Sequence, residues 1–470
     1  MNDQQKSTFV VMFGNRGFFP ASLQATARQE MRAVLEEQGY QVLMMDENET
    51  QYGAVETPAD GQKFARFLEE HRGKYGGVIL SLPNFGDETG AVTALKAAGV
   101  PILIQAYPDD LDKMSTAQRR DAFCGKFSIM DVFCQYGVKF TALTPHTVNP
   151  RNARFLQNLD YFDRLCRVTG GMKDMIVGAI GARTTPFKTV RIDELALQRH
   201  GITVETVDMS EVFRRIEKLD EDADEAKEKA QELRDYAHWD GVPEVAFDRL
   251  VRLGVVIDQL IDEFELDAYA IRCWLELQEQ LGISPCVVMS QTNERGKMAA
   301  CEVDVGSAVT MYALRLASGE SAACLDWNNN YGEEDDKCIL FHCGPVPRSM
   351  MTKKGKVDEH EIFAATAVGP GCSYGCNLGR IQPNLITFGN LLTDSGQLKF
   401  YLGQGRITDD TIPDDYFGCA GVAEVDGLQS ALQKIGYAGH RHHVTITPGH
   451  VAAPLHEAFT SYLGYEVLMV

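Results

Sequence analysis

Three segments of this chain set a hard metal-ligating side chain beside strand or turn residues. Ala300-Cys-Glu-Val-Asp-Val-Gly306 offers Glu302 and Asp304, Cys324-Leu-Asp-Trp-Asn-Asn329 offers Asp326, and Thr445-Ile-Thr-Pro-Gly-His-Val451 offers His450. His342, in Leu340-Phe-His-Cys-Gly344, is a candidate fourth. Carboxylates with an imidazole suit Mn²⁺, Mg²⁺ or Co²⁺ better than zinc, which more often takes several His or Cys. Each residue alone has a plainer reading. A lone Asp ending a strand is more often a turn residue or helix cap, and a lone buried His a hydrogen-bonded core group. On spacing alone both readings stay open.

The elements that must position these residues read as repeated βα units over the first 170 residues. Strand signals fall at 8–13, 40–45, 77–82 and 101–105, and helical stretches at 23–39, 61–72 and 91–99. Apolar strand runs separated by helices imply a parallel sheet covered on both faces. Ligands of such sheets sit beyond the C-terminal strand ends. That places Asn15-Arg16, Asn84 to Glu88 and Gln105 to Tyr107 on one rim. A second α/β unit begins near Asp174. Its Gly178-x-x-Gly181 lacks the full G-x-G-x-x-G pattern and reads as a tight strand-to-helix turn. Residues 212–266 read as charged helix with a solvated face, and 284–290 as a further strand. Beyond about residue 340, short alternating stretches at 385–388, 398–402 and 443–447 indicate antiparallel strands, with a last helix over 453–463. The expected layout is two consecutive parallel-sheet α/β (Rossmann-like) domains, 1–170 and 171–345, then an antiparallel β-rich domain, 346–470. The second domain then carries the carboxylates and the third carries His450.

Composition narrows the function classes. With 45 Lys plus Arg against 66 Asp plus Glu, the formal charge is −21. That field repels phosphate backbones and argues against nucleic acid or an anionic membrane as partner. It leaves room for a small anionic substrate in a local cationic pocket. The apolar run from Phe9 to Phe13 is too short for a secretory signal, and no segment approaches a membrane span, so a cytoplasmic location is expected. The twelve Cys then read as reduced thiols, mostly core fillers such as Cys286 and Cys324. Cys338 with Cys343, and Cys372 with Cys376, lack a second pair at zinc-site spacing, so no structural zinc is expected.

Several segments in one order resemble the L-fucose/L-arabinose isomerase group. They are Arg272-Cys-Trp-Leu-Glu276, Cys286-Val-Val-Met-Ser290, Asn293-Glu-Arg-Gly296, Ala299-Ala-Cys-Glu-Val-Asp-Val305, Asp326-Trp-Asn328, and His442-His-Val-Thr-Ile446 with Gly449-His450. Gly178-Ala-Ile-Gly-Ala-Arg183 and Asn84-Phe-Gly-Asp-Glu88 extend the likeness over most of the chain. The resemblance implies an aldose–ketose isomerase of three domains, with Mn²⁺ (Mg²⁺ or Co²⁺ as alternatives) held by Glu302, Asp326 and His450. His342 matches a fourth ligand of the arabinose branch. It also implies a homo-oligomer (trimer or hexamer, with a dimer as alternative) in which the N-terminal domain of one subunit covers a neighbour's site. Arg16 matches a substrate-contacting position. Asn84, Gln105, Trp274 and Trp327 complete the candidate substrate contacts.

The chemistry asks for these residue types. Moving a carbonyl between C1 and C2 of a sugar means removing a weakly acidic proton, and a metal on O1 and O2 stabilises the cis-enediolate. Carboxylates flanking the two carbons, Glu302 and Asp326, can pass the proton between them. A hydride shift would use the same ligands. The substrate classes implied are a pentose, a 6-deoxyhexose or a C6-modified hexose, sulfoquinovose to sulfofructose among them. His440-Arg441-His442-His443, Arg16 and Arg348 could receive a sulfonate, though ordinary surface residues are the plainer reading. The rival functions are a non-enzymatic two-lobed sugar-binding protein and a metal-dependent aldolase or hydrolase.

Overall fold

Residues 6–184, 186–220 and 222–470 are described by the structure, a computed structural model. Among them, one compact unit runs to Gly170 and another from Gly171 to Val470.

The first unit is built on strands whose apolar runs predict burial on both faces. β1 (Thr8–Phe13), β2 (Gln41–Leu43), β3 (Gly77–Leu82) and β4 (Ile102–Ala106) form a parallel sheet in the order β2-β1-β3-β4. Phe9 to Phe13 and all of β3 and β4 are buried. Local sequence sets the helix starts. Thr57 and Asp60 form a capping box with Pro58 in the first turn of the helix Pro58–Glu70. Asp87 caps the helix Glu88–Leu95.

In the helix Ala122–Gln135, Lys126 is 2% exposed and donates to the His146 carbonyl at 2.9 Å. Burial pushes its pKa from 10.5 down to about 8. Between those values the unfolded chain binds a proton that the folded chain has lost. Stability therefore rises with pH across that window, by about 3 kcal/mol in all. Urea unfolding at pH 7.5 and 10 should show this gain in the wild type, and Lys126→Met should lack it.

The second unit begins with another parallel sheet. β5 (Ile176–Ile180), β6 (Thr203–Val207), β7 (Ala268–Ile271) and β8 (Met298–Ala300) run in the order β6-β5-β7-β8. The strand expected at 284–290 is instead the start of a helix, Cys286–Glu294. Every residue from Cys286 to Asn293 is buried, so no polar face marks the helical period and the apolar, β-branched run mimics a buried strand.

The remaining strands are β9 (Ala323–Tyr331), β10 (Glu334–His342), β11 (Lys356–Glu359), β12 (Tyr374–Arg380), β13 (Asn384–Asp394), β14 (Gln397–Ile407), β15 (Cys419–Glu424), β16 (His443–Pro448) and β17 (Glu466–Met469). They form one nine-stranded sheet, and a further pairing of β14 with β15 closes β15-β10-β9-β16-β13-β14 into an antiparallel barrel. Closure removes open edges. Leu325, Leu340, Phe388, Tyr401, Val444 and Ile446 fill its core. The barrel thus takes in β9 and β10, before residue 346, and Asp326 lies on it rather than on the parallel sheet. The layout of parallel α/β sheets followed by an antiparallel β structure is as the sequence implies. Among the described residues, no helix is long and apolar enough to cross a membrane.

Candidate metal centre

One end of the barrel collects three of the site residues. Asp326 on β9 lies directly opposite His443, the first residue of β16, and opposite Phe341 of β10. His342 ends β10. Glu302 arrives from the turn after β8, at the C-terminal edge of the parallel sheet, where ligands of such sheets are bound. Glu302 and Val303 both hold left-handed backbone, each with φ 57°. For a β-branched residue such as Val303 this is a strained conformation, the kind that surrounding structure must enforce and that gathers at functional sites.

His443 Nε2 lies 2.9 Å from Glu302 Oε2 and 3.6 Å from Asp326 Oδ1. Donor atoms of Glu302, His342 and His443 fall within 4.8 Å of one another, as do those of Asp326, His442 and His443. Glu302 Oε2 and Asp326 Oδ1 are buried oxygens with no aligned hydrogen-bond donor, an arrangement that costs free energy unless something compensates. Burial disfavours charge on His443 and His342. Cys324, Asp304 and Glu302 nonetheless raise His443 well above its usual value, and Cys343, Asp326 and Glu302 do the same for His342. Burial likewise opposes charge on Glu302, and His443 and His342 together outweigh it to hold the carboxyl low. Two carboxylates and two imidazoles that draw positive charge fit a hard divalent cation.

Behind this set stands Asp304. It caps the helix Val305–Ser318 through the Ser307 amide, accepts from Ser307 Oγ at 2.6 Å and meets His443 Nδ1 at 2.7 Å. Its other oxygen pairs with Arg441. Both members are buried. Despite burial, Arg441 and His443 hold the Asp304 carboxyl far below the usual carboxylate range. A carboxylate on the second ring nitrogen fixes tautomer and orientation, as support for a metal-ligating histidine requires. A Cβ at Gly306 would fall 2.8 Å from both Arg441 Nη1 and the Leu391 carbonyl, so only Gly lets this helix start so close.

Of the residues expected from sequence, Glu302, Asp326 and His342 come together, and His450 does not join them. It is exposed, with Nε2 3.1 Å from the Gly405 carbonyl. It also lies past the far end of β16, whose length separates it from His443 by about 17 Å or more. The imidazole at the centre is His443. The signal for it was the strand itself, since alternation back from Thr445 and Thr447 puts Arg441 and His443 on the buried face opposite the barrel core. His440-Arg441-His442-His443 is accordingly no surface cluster. Arg441 is consumed by Asp304, and burial, then Arg441, push His440 down to about 4. Only His442 is substantially open, 42% exposed. Arg348 instead reaches the Asp235 carbonyl. His443→Ala should abolish tight Mn²⁺ binding. His450→Ala should leave binding unchanged and stability within about 0.5 kcal/mol, read by metal titration and urea unfolding.

Trp274 stands beside the centre. Its ring meets Phe187 edge-on at 5.2 Å, and Phe187 meets His442 at 5.7 Å. Trp327 does not face the site. Successive strand residues point to opposite faces, and its Nε1 donates to Tyr401 Oη at 3.3 Å against the barrel core.

In the first unit, Asn84 and Gln105 are buried and their amides are engaged internally. Asn84 donates to Asn15 and accepts from the Arg16 and Gly86 amides. Gln105 accepts from Ser81 and donates to the Val148 carbonyl. They brace the rim rather than offer it hydrogen bonds. Arg16 remains partly open, paired with Glu88 and lying over Phe85 at 4.5 Å.

The profile described as fucose/sulfoquinovose isomerase, N-terminal domain, matches residues 10–173, and that of the L-fucose isomerase C-terminal domain matches 340–470. The chain is similar to the sulfoquinovose isomerase of Priestia aryabhattai, 26% identical over 210 residues, 42% of this chain and 44% of that one. That of Alkalicoccus urumqiensis is 27% identical over 203 residues, again 42% and 44%. That of Clostridium sp. (strain MSTE9) is 22% identical over 306 residues, 64% and 66%. The matched stretch thus spans under half the length of the first two relatives.

Proposed function

The chain belongs to the L-fucose isomerase-like family, and on that premise we propose that it interconverts an aldose and a ketose where Glu302, Asp326, His342 and His443 converge. The observation that carries this reading is the pair of buried carboxylate oxygens, Glu302 Oε2 and Asp326 Oδ1, left without an aligned donor beside two imidazoles. A divalent cation of the Mn²⁺, Mg²⁺ or Co²⁺ type, held by these four side chains, would supply Lewis-acid polarisation of the sugar carbonyl. Glu302 and Asp326 hold the proton in transit, taking it from the carbon beside the carbonyl and returning it to the neighbouring carbon. Asp304, through His443 Nδ1, keeps Nε2 aimed at Glu302. Trp274 and Phe187 form an apolar wall beside His442 that limits water.

The substrate we favour is sulfoquinovose, on the strength of the relatives' names; a pentose or 6-deoxyhexose is the alternative. Homo-oligomerisation is part of the proposal, with the exposed Phe18, Leu111, Phe123 and Phe127 of the first unit as surface for a neighbouring copy. Twelve free thiols suit a reducing, cytoplasmic setting. Mn²⁺-loaded protein should convert sulfoquinovose in a panel that also holds L-fucose, L-arabinose and D-arabinose. Chelation should abolish turnover and Mn²⁺ restore it. Conversion of no aldose in the panel would overturn the reading.

A further inference from the structure

A cavity of about 470 Å³ in the first unit is lined by the helices Ser22–Glu37 and Pro58–Glu70 and by the segment that follows β2. That volume suits one small molecule. On a chain of formal charge −21, four cations line it, Arg28 and Arg32 from the first helix and Lys63 and Arg66 from the second. Arg28 and Arg32 are four residues apart and share a helix face, where like charges repel. Lys63, Arg66 and Glu70 share a face of their own helix in the same way. No residue of the carboxylate–imidazole centre contributes to the lining.

The protein itself matches these cations poorly. Among the described residues, Arg28 and Arg66 form no ion pair with a carboxylate. Arg28 Nη2 donates to the Met45 carbonyl, while its Nη1 is buried with no hydrogen-bond partner. A buried donor left in that state costs free energy unless a ligand satisfies it. Burial, and then Arg32, lower the Arg28 pKa, and Glu47 and Asp46 oppose them more weakly. Gly53, with φ 65°, keeps the guanidinium's place open, since a Cβ there would fall 2.7 Å from Arg28 Nη1. Arg32 reaches Glu36 at 3.6 Å with both side chains near half exposed, a pairing worth little. Lys63 donates to a neutral partner, the Glu49 carbonyl, at 2.6 Å. The carboxylates of the lining, Asp46, Glu49 and Glu70, are exposed and screened by solvent.

We propose that this cavity binds a small phosphate monoester of a polyol, its phosphate held by Arg28, Arg32 and Arg66. Guanidiniums match phosphate oxygens two at a time. A phosphate at Arg28 supplies the missing partner and offsets the repulsion from Arg32, and Lys63 adds a further positive charge. Asp46, Glu49 and Glu70 accept hydrogen bonds from the hydroxyls of the polyol. Free inorganic phosphate meets the same guanidiniums but makes no use of the carboxylates, so the ester binds more tightly.

The test is a calorimetric titration of chelator-stripped full-length protein with glycerol 3-phosphate, inorganic phosphate and glycerol in turn, at about 0.15 M salt. Stripping keeps phosphate from a metal at the carboxylate–imidazole centre. The expected result is one saturable site per chain for the ester, weaker binding of inorganic phosphate and none of glycerol. Arg32→Ala and Arg66→Ala, both at exposed positions, should each weaken the ester by about 10–100-fold, the worth of a hydrogen bond to a charged group. Arg154→Ala, an exposed arginine outside the cavity, should leave the affinity unchanged. On the wild type, the ester should protect Arg28 and Arg66 from phenylglyoxal, mapped by mass spectrometry, so the result does not depend on the variants folding. Absence of saturable binding, unchanged affinity in either cavity variant, an equal loss in Arg154→Ala, tighter binding of inorganic phosphate than of the ester, or equal modification with and without the ester would each overturn the proposal.

Discussion

Glu302→Gln should lower the isomerisation rate by about 10²–10⁴-fold, the range that a positioned acid–base group contributes. The amide keeps the volume of the carboxyl, so the strained turn at Glu302 and Val303 is not asked to repack. What is lost is the proton carrier, together with one negative donor of the centre. The two losses can be separated, because at saturating Mn²⁺ a pure ligand defect recovers and a proton-transfer defect does not. Asp326→Asn should behave alike, acting from the barrel side. Full activity in both variants would show that proton transfer is carried elsewhere.

Asp304→Asn should be the most damaging change to stability near the site, costing about 3–5 kcal/mol because it leaves Arg441 buried without its counter-charge. It should also weaken metal binding by about 10–100-fold, since His443 loses the carboxylate that fixes its ring. The double variant Asp304→Asn, Arg441→Met removes the stranded charge and should recover much of the stability. It should recover none of the metal affinity, because nothing has been returned to His443 Nδ1. Urea unfolding and Mn²⁺ titration on the same three proteins read the two effects independently.

What was legible in the sequence follows from how locally each feature is specified. The apolar runs of β1, β3 and β4 and the alternating stretches within β13, β14 and β16 carry their own strand signals. β9 and β10 do not. Their distal ends, around Asn328-Asn329-Asn330 and Glu334-Asp335-Asp336, are exposed, so the hairpin reads as a polar loop. Barrel closure rests on the pairing of Arg406 and Ile407 with Glu424 and Ala423, a long-range contact with no local trace. The carboxylates at 302 and 326 were visible as candidate ligands. The histidine was misplaced because a Gly-His turn resembles an exposed functional loop, whereas His443 lies in a basic run whose charge Asp304 cancels out of sight.

On the proposed reading, Glu302, Asp326, His342 and His443 carry an aldose–ketose interconversion. The direct test is to incubate the Mn²⁺-loaded protein with sulfoquinovose in D₂O and follow the sugar by proton NMR. The expected product is a ketose that carries solvent deuterium at C1, with the signal lost in Glu302→Gln. A ketose free of deuterium would contradict proton transfer through Glu302 and Asp326, and the absence of both ketose and exchange would contradict the claim itself.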